Sequence, residues 1–203
     1  MTGHISGMGK EQLPGVRDRL LIAGVAVFSK RGFNGCSVQD ITEQAGVPKG
    51  SFYNHFESKE ALGAAAIEHY WNDNAADLLD RLSQGDASPL ARLRDYFEQV
   101  SVQLTAMNFT CGCLIGNMTA ELSDHSTVIA AQLSAIFASW TQRVAACIVE
   151  AQAAGEITTD TDPTALATFT LNAWEGALLR ARVEKNGRPL QQFAEFLFSQ
   201  VLR

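Results

Sequence analysis

The chain has 203 residues, 46% of them hydrophobic and 19% charged, with a formal net charge of −6. This composition suits a globular protein with a sizeable core, and no apolar run reaches the roughly 18 residues of a membrane span. Four cysteines (Cys36, Cys111, Cys113 and Cys147) are too few and too scattered for a disulfide framework, so reduced thiols in a cytoplasmic chain are expected.

The charge is unevenly spread. Residues 1–60 carry seven Lys/Arg and six Asp/Glu, a sum of +1, whereas residues 61–203 carry nine and sixteen, a sum of −7. A near-neutral head on an acidic body permits a nucleic-acid partner at the head alone.

Residues 1–12 lack the apolar stretch of a signal peptide and read as a flexible tail. Almost everything that follows reads as helix, so the expected fold is all-α. Leu20, Ala23, Val27 and Phe28 mark one apolar face of a first helix over 16–31, ended by Gly32 after Lys30 and Arg31. Ser37-Val38-Gln39-Asp40 resembles a capping box with Asp in place of Glu, and opens a helix that stops at Ala45-Gly46. A very short helix fits 49–56. Ser58 caps a fourth that runs past Trp71 towards Leu82.

The punctuation is then regular. Ser88-Pro89 opens a helix to about Met107, with Ser as cap and Pro at N1. Phe109 to Gly112 is a break, Leu114–Leu122 a short helix, and Ser126–Ala154 a long one ended by Gly155. Asp162-Pro163 opens the next, to about Gly187, and Pro189 the last, to Leu202. That makes about nine helices.

Residues 38–45 and 49–56 are joined by Gly46-Val47-Pro48, a three-residue turn with the spacing of a helix-turn-helix. Gly46 suits a left-handed helix end and Pro48 pre-sets the entry to the next. Phe52 and Phe56, four apart, share one face and anchor the short helix inward. Lys49, Gly50, Ser51, Tyr53, Asn54 and His55 then face outward as candidate base and phosphate contacts. Ser37, Gln39 and Lys59, at helix starts, are candidate phosphate contacts; for Ser37 a plain N-cap role is an equal alternative.

The run GFNGCSVQDITEQAGVPKGSFYNHFESKEAL, residues 32–62, resembles the DNA-binding signature of the TetR family of bacterial repressors. The matching elements are the Gly-Phe after an apolar helix, the Ser-led helix start, Ala-Gly-Val, the Lys-Gly turn, Tyr-x-x-Phe and Ser-Lys-Glu. Cys36 departs from the family's usual Thr or other small residue. The resemblance covers about residues 16–65. It implies a three-helix DNA-binding head over 13–60 and a ligand-binding and dimerisation domain over 61–203. The function it implies is a homodimeric repressor released from a palindromic operator by a small-molecule effector or by thiol modification. Its two short helices would sit roughly 34–36 Å apart.

The segment FTCGCLIGNMTAELSD, residues 109–124, resembles that of a TetR subgroup answering reactive electrophiles and small unsaturated acids, in which a Cys follows a Gly ahead of a short helix. Cys113 fits that position and is preferred to Cys111. Helix N-terminal placement predicts a lowered thiol pKa. Buried inert thiols are the plainer alternative, and Cys147 reads as inert. Metal is not expected, since only His125 lies nearby.

Phe97, Phe109, Met118, Phe137, Trp140 and Trp174 are candidates for lining an effector cavity, with core packing as the alternative, and Asn117 and Asn172 are candidates for orienting a ligand. The small and apolar residues of 163–186 and 190–202 suggest two helices per subunit forming a four-helix dimer interface. No catalytic constellation, cofactor motif or phosphate loop is apparent, so no enzyme and no cofactor are expected. The open alternative is an effector-independent DNA-binding factor, architectural or protein-regulated.

Overall fold

The computed structural model describes residues 14–203. The expected tail at 1–12 lies outside them. Nine helices are present among the described residues: α1 (Val16–Arg31), α2 (Val38–Ala45), α3 (Lys49–Asn54), α4 (59–80), α5 (Pro89–Ala106), α6 (Leu114–Leu122), α7 (Thr127–Ala153), α8 (Pro163–Glu184) and α9 (Arg188–Phe196). None is long and apolar enough to cross a membrane.

Two elements differ from the expected regular helix. The short helix α3 is wound as a 3-10 helix and stops at Asn54. The long helix α4 is α-helical over Lys59–His69, widens into a π-turn over Tyr70–Ala75, and resumes over Ala76–Asp80. A second π-turn, Leu197–Val201, continues α9. Such widenings project side chains that a regular helix would stack, and they are frequent at functional sites.

Local chemistry sets the ends. The Ser37 hydroxyl accepts from Asp40 N–H while the Asp40 carboxylate accepts from Ser37 N–H, a reciprocal box. Gly46 takes the left-handed conformation, φ 63°, that closes α2. Asp162 caps α8 through Ala165 N–H. At α5 the expected cap differs. Ser88 holds the N-cap position without bonding the helix, and the Glu156 carboxylate, arriving from beyond α7, accepts from Leu90 N–H instead.

The apolar side chains fall into two cores. One fills the body between α4, α5, α7, α8 and α9, around Phe97, Trp174 and Phe193. The other joins the head to the body. Leu20, Phe28, Ile41, Phe52 and Phe56 pack in one cluster with Leu114, Ile115, Met118 of α6 and Leu133 of α7. The head's apolar packing therefore does not stop at residue 60.

Candidate functional site

Two regions concentrate polar chemistry. The first is the turn around α3. Phe52 is fully buried and Phe56 nearly so, their rings 5.9 Å apart, which fixes the segment on α1 and α2. Truncating such an aromatic anchor typically costs about 3–5 kcal/mol. With the anchors inside, Lys49, Gly50, Tyr53, Asn54 and His55 stand exposed and Ser51 half-buried. Tyr53 is 60% exposed, unusual for an aromatic ring.

Three expected contacts around this turn are otherwise engaged. The Lys59 Nζ donates to Phe33 O and Cys36 O, both at 2.8 Å, and sits 4.2 Å from the centre of the Phe33 ring. It ties the α1–α2 loop to α4 with two of its three ammonium N–H donors. Ser37 serves as the N-cap of α2, and its hydroxyl also donates to Asp40 at 2.6 Å. Gln39 is exposed and donates to Glu43. The Asp40 carboxyl, held first by the Ser37 hydroxyl, then by Ser37 N–H and by Arg31 at 2.6 Å, is lowered to about 2.

The second region is a cavity of about 700 Å³ where head meets body. Its wall is built from the α4 π-turn (Tyr70, Trp71, Ala75), α5 (Tyr96, Val100, Leu104), the segment 110–113, and Trp140 and Trp174 of α7 and α8. Its rim includes Lys30 and Arg31 at the end of α1. Of the residues expected to line it, Cys111, Cys113, Trp140 and Trp174 do. The others lie elsewhere. Phe97 is in the body core against Trp174, Phe109 is buried in the corner after α5, and Met118 is fully buried on the head side. Phe137 stacks behind Trp140, rings 6.3 Å apart. Asn117 is a clasp on α1, and Asn172 is exposed on α8. Helical spacing marks these residues as inward or outward, yet it does not tell a packed core from a hollow one. Tyr70, Trp71 and Tyr96 were missed by sequence reasoning. The one available signal was an aromatic pair inside the helix that joins head to body.

The polar groups here are shielded from water, and each is shifted toward its neutral form. Burial pushes the Tyr70 and Tyr96 phenols far up, with the Cys113 thiol adding to both. The Trp140 indole N–H points toward Tyr96 without completing a hydrogen bond, and is left buried and unpartnered. Behind Cys113 stands Glu175, whose carboxyl is raised to about 7 by burial and whose hydrogen bond to the thiol only partly offsets that rise. Its Oε1 is buried without a partner.

Cys113 corrects a sequence expectation. It is the N-cap residue of α6, but burial and then the Glu175 charge raise its thiol well above the ordinary value, outweighing N–H contacts from Gly116 and Ile115. Burial likewise moves Cys147 up to about 11, fitting the inert reading. Among the described residues, no three His, Cys, Asp or Glu converge as metal ligands.

Comparison with known proteins identifies the architecture. A family model described as "Bacterial regulatory proteins, tetR family" matches residues 20–66, and one described as "Tetracyclin repressor-like, C-terminal domain" matches residues 89–197. The chain is 42% identical to the HTH-type transcriptional repressor DhaR of Mycobacterium sp. (strain GP1), over 92% of each. It is 38% identical to the transcriptional regulator AcuR of Cereibacter sphaeroides, over 86% of this chain and 80% of that one. The crystal structure of regulatory protein TetR from Rhodobacter sphaeroides aligns with a TM-score of 0.86 at 36% identity, covering 90% of this chain and 97% of that one. The chain therefore belongs to the TetR family of helix-turn-helix regulators of transcription, DNA-binding proteins and not enzymes.

Proposed function

We propose that the chain is a homodimeric repressor that holds a pseudo-palindromic operator through paired α3 turns and releases it when a small molecule occupies the head–body cavity. The carrying observation is that one head presents an outward polar turn and, through the end of α1, also walls a cavity of about 700 Å³ shared with the body. Lys49, Tyr53, Asn54 and His55 are the expected contacts to bases and phosphates, with Gly50 and Ser51 allowing close backbone approach. The repressor sense follows the name of the relative DhaR.

The dimer reading rests on α8 and α9. Phe169, Leu179, Val183 and Phe196 are exposed on them, and a groove of about 400 Å³ opens between the two helices beside Phe169 and Phe196. A contiguous apolar face of this kind suits a second copy meeting it about a two-fold axis.

The cavity's chemistry narrows the effector. Two phenols, an indole N–H and a thiol present hydrogen-bond donors among aromatic walls, with the Glu175 carboxyl behind the thiol. This suits a small, largely apolar molecule carrying an acceptor oxygen, bound without covalent change. A covalent route is a second reading, favoured by the position of Cys111 and Cys113 in the wall. In it, the Cys113 thiol adds across an electron-poor C=C. The S–C bond forms at the β carbon, and the proton passes through Glu175 to the α carbon.

An operator duplex selected from a randomised library by the wild-type protein, then titrated with small carbonyl compounds, tests the proposal. Release by a saturated carbonyl compound, retained in Cys113→Ser, supports non-covalent induction. Release only by unsaturated compounds, lost in Cys113→Ser, supports the covalent route. A chain that selects no sequence or is monomeric by light scattering overturns the whole reading.

A further inference from the structure

The helix α4 joins head to body covalently, but a second connection is built from hydrogen bonds at the C-terminal end of α1. The last carbonyls of any helix lack intrahelical partners. Here the body supplies them. Ser29 O accepts from Gly112 N–H and from Asn117 Nδ2, each at 3.2 Å. Lys30 O accepts from Arg182 Nη2 at 2.7 Å, and Arg182 Nη1 donates to Asn117 Oδ1 at 3.2 Å, locking the two donors together. Two residues further on, the chain turns at Gly32, φ 78°. There the Glu121 carboxylate accepts from Phe33 N–H at 3.0 Å and from Asn34 N–H at 2.6 Å. A side chain at Gly32 would collide with Glu121, its Cβ falling 2.1 Å from Oε1. Three body elements, α6, α8 and the segment before α6, thus grip one end of one head helix.

The same segment forms the cavity wall. Cys111, Gly112 and Cys113 all line it, as do Ser29 and Lys30 on the head side. The Gly112 amide that holds α1 therefore belongs to the surface an occupant touches. The segment begins at a constrained corner. Asn108 and Phe109 both have positive φ, 51° and 52°, rare for a bulky residue, and Lys185 Nζ fixes the corner by donating to Phe109 O at 3.0 Å. With that end fixed, displacement of the wall falls on residues 110–113.

We propose that Gly112, Asn117, Arg182 and Glu121 form a latch that sets the orientation of the head through the end of α1, and that cavity occupancy acts on the head by disturbing the Gly112–Ser29 contact. This rests on the reading of the head as DNA-binding and the cavity as effector-binding, and adds the route between them. Arg182 and Glu121 are positioning residues. Arg182 acts through the main chain and Asn117, and Glu121 through two backbone amides. A latch of this kind works by preorganisation: it narrows the head orientations available before DNA arrives.

The test uses the full-length dimer with Arg182→Ala, Arg182→Lys and Glu121→Gln, and Arg81→Ala as a control, an exposed arginine just past α4 that lines neither the cavity nor the α8–α9 groove. Operator affinity is measured against salt, and amide hydrogen exchange is followed across residues 29–35 and 111–117. The expected result is operator binding weakened about tenfold or more in Arg182→Ala and Glu121→Gln, with an unchanged salt slope because no phosphate contact is lost. Arg182→Lys recovers part of the affinity. Exchange rises at both ends of the latch together, so that Arg182→Ala also loosens Phe33 and Asn34. A local defect would loosen only its own neighbours. Affinity within twofold of wild type, with exchange altered only beside the substituted residue, overturns the latch. Should wild type select no operator, the DNA reading falls, and the exchange measurement still decides whether the two ends of the latch move as one.

Discussion

In the head, Lys49, Tyr53, Asn54 and His55 stand in solvent on a turn held from behind by Phe52 and Phe56. In the body, Tyr70, Tyr96, Cys113 and Glu175 are turned inward, each shifted toward its neutral form. Surface groups are presented ready to meet a charged, hydrated partner, and water compensates them until it arrives. Interior groups lose water on folding, so they must find partners, stay neutral, or wait for a ligand that completes them. Trp140 Nε1, in the cavity wall, is buried without a partner, as is Glu175 Oε1 behind Cys113.

The largest expected effect breaks the comparison on the buried side. Glu175 is raised from 4.5 to about 7, chiefly by burial. Below about pH 4.5 it is protonated whether the chain is folded or not, and the shift costs nothing. Between about 4.5 and 7 the folded state holds a proton that the unfolded state releases, so stability falls as pH rises through this window. The full cost by neutral pH is roughly 3 kcal/mol. Glu175→Gln is expected to remove that slope, with denaturant unfolding at pH 5 and pH 8 giving nearly equal stabilities. A slope that persists in the variant would assign it to another group.

On the solvated side, replacing Lys49 and Tyr53 together by Ala is expected to weaken operator binding about a hundredfold, or about 2.7 kcal/mol, with helicity and dimer retained. The Lys49 component alone should also reduce the salt slope by about 1 if it neutralises one phosphate. Fluorescence anisotropy across a salt series separates the two. Unchanged affinity in the double variant would remove α3 from the interface.

Legibility in the sequence followed the same division. The nine helices and the turn at Gly46 could be read because periodicity, caps and Gly–Pro punctuation are local. The outward set around Tyr53 could be read because two aromatic anchors four residues apart define an inside. Lys59 could not be placed, since its partners Phe33 O and Cys36 O are carbonyls of a loop more than twenty positions earlier. The rise of the Cys113 thiol is not legible because the helix N-terminus is visible in sequence, whereas the burial that dominates and Glu175, sixty-two positions later, are not. Nor does an apolar period reveal that α4 widens at Tyr70 to open a cavity. Hollows are made by packing between distant segments.

A third, smaller effect probes the seam between the regions. Gly32→Ala is expected to cost about 1–3 kcal/mol, from the left-handed backbone alone. Glu121 must also shift, so operator affinity should fall beyond what the loss of stability explains. Gly46→Ala, at φ 63° and ψ 38° with an added methyl that meets nothing within 4 Å, is the reference for a glycine replacement without a clash, and Gly32→Ala combined with Glu121→Ala separates the backbone cost from the Glu121 component. Equal operator affinities in Gly32→Ala and Gly46→Ala would reduce Gly32 to a simple turn residue.

The smallest effect sharpens the solvated side. Ser37→Ala removes the hydroxyl that accepts from Asp40 N–H and donates to its carboxylate. Loss of such a cap typically costs about 1 kcal/mol, measurable by urea unfolding at pH 7. The same substitution removes the largest cause of the Asp40 shift, so that carboxyl should titrate closer to its ordinary 3.8 than to about 2. Because the folded pKa is depressed, the stabilisation linked to it is present above about pH 4 and fades as pH falls toward 2. In Ser37→Ala that acid-induced loss should shrink. If operator binding by Ser37→Ala drops tenfold or more while the stability change stays near 1 kcal/mol, the hydroxyl also meets a phosphate, and the DNA-contacting surface of the head extends back to the start of α2. If binding and stability fall together, Ser37 is a cap alone, and the contacting surface begins at α3.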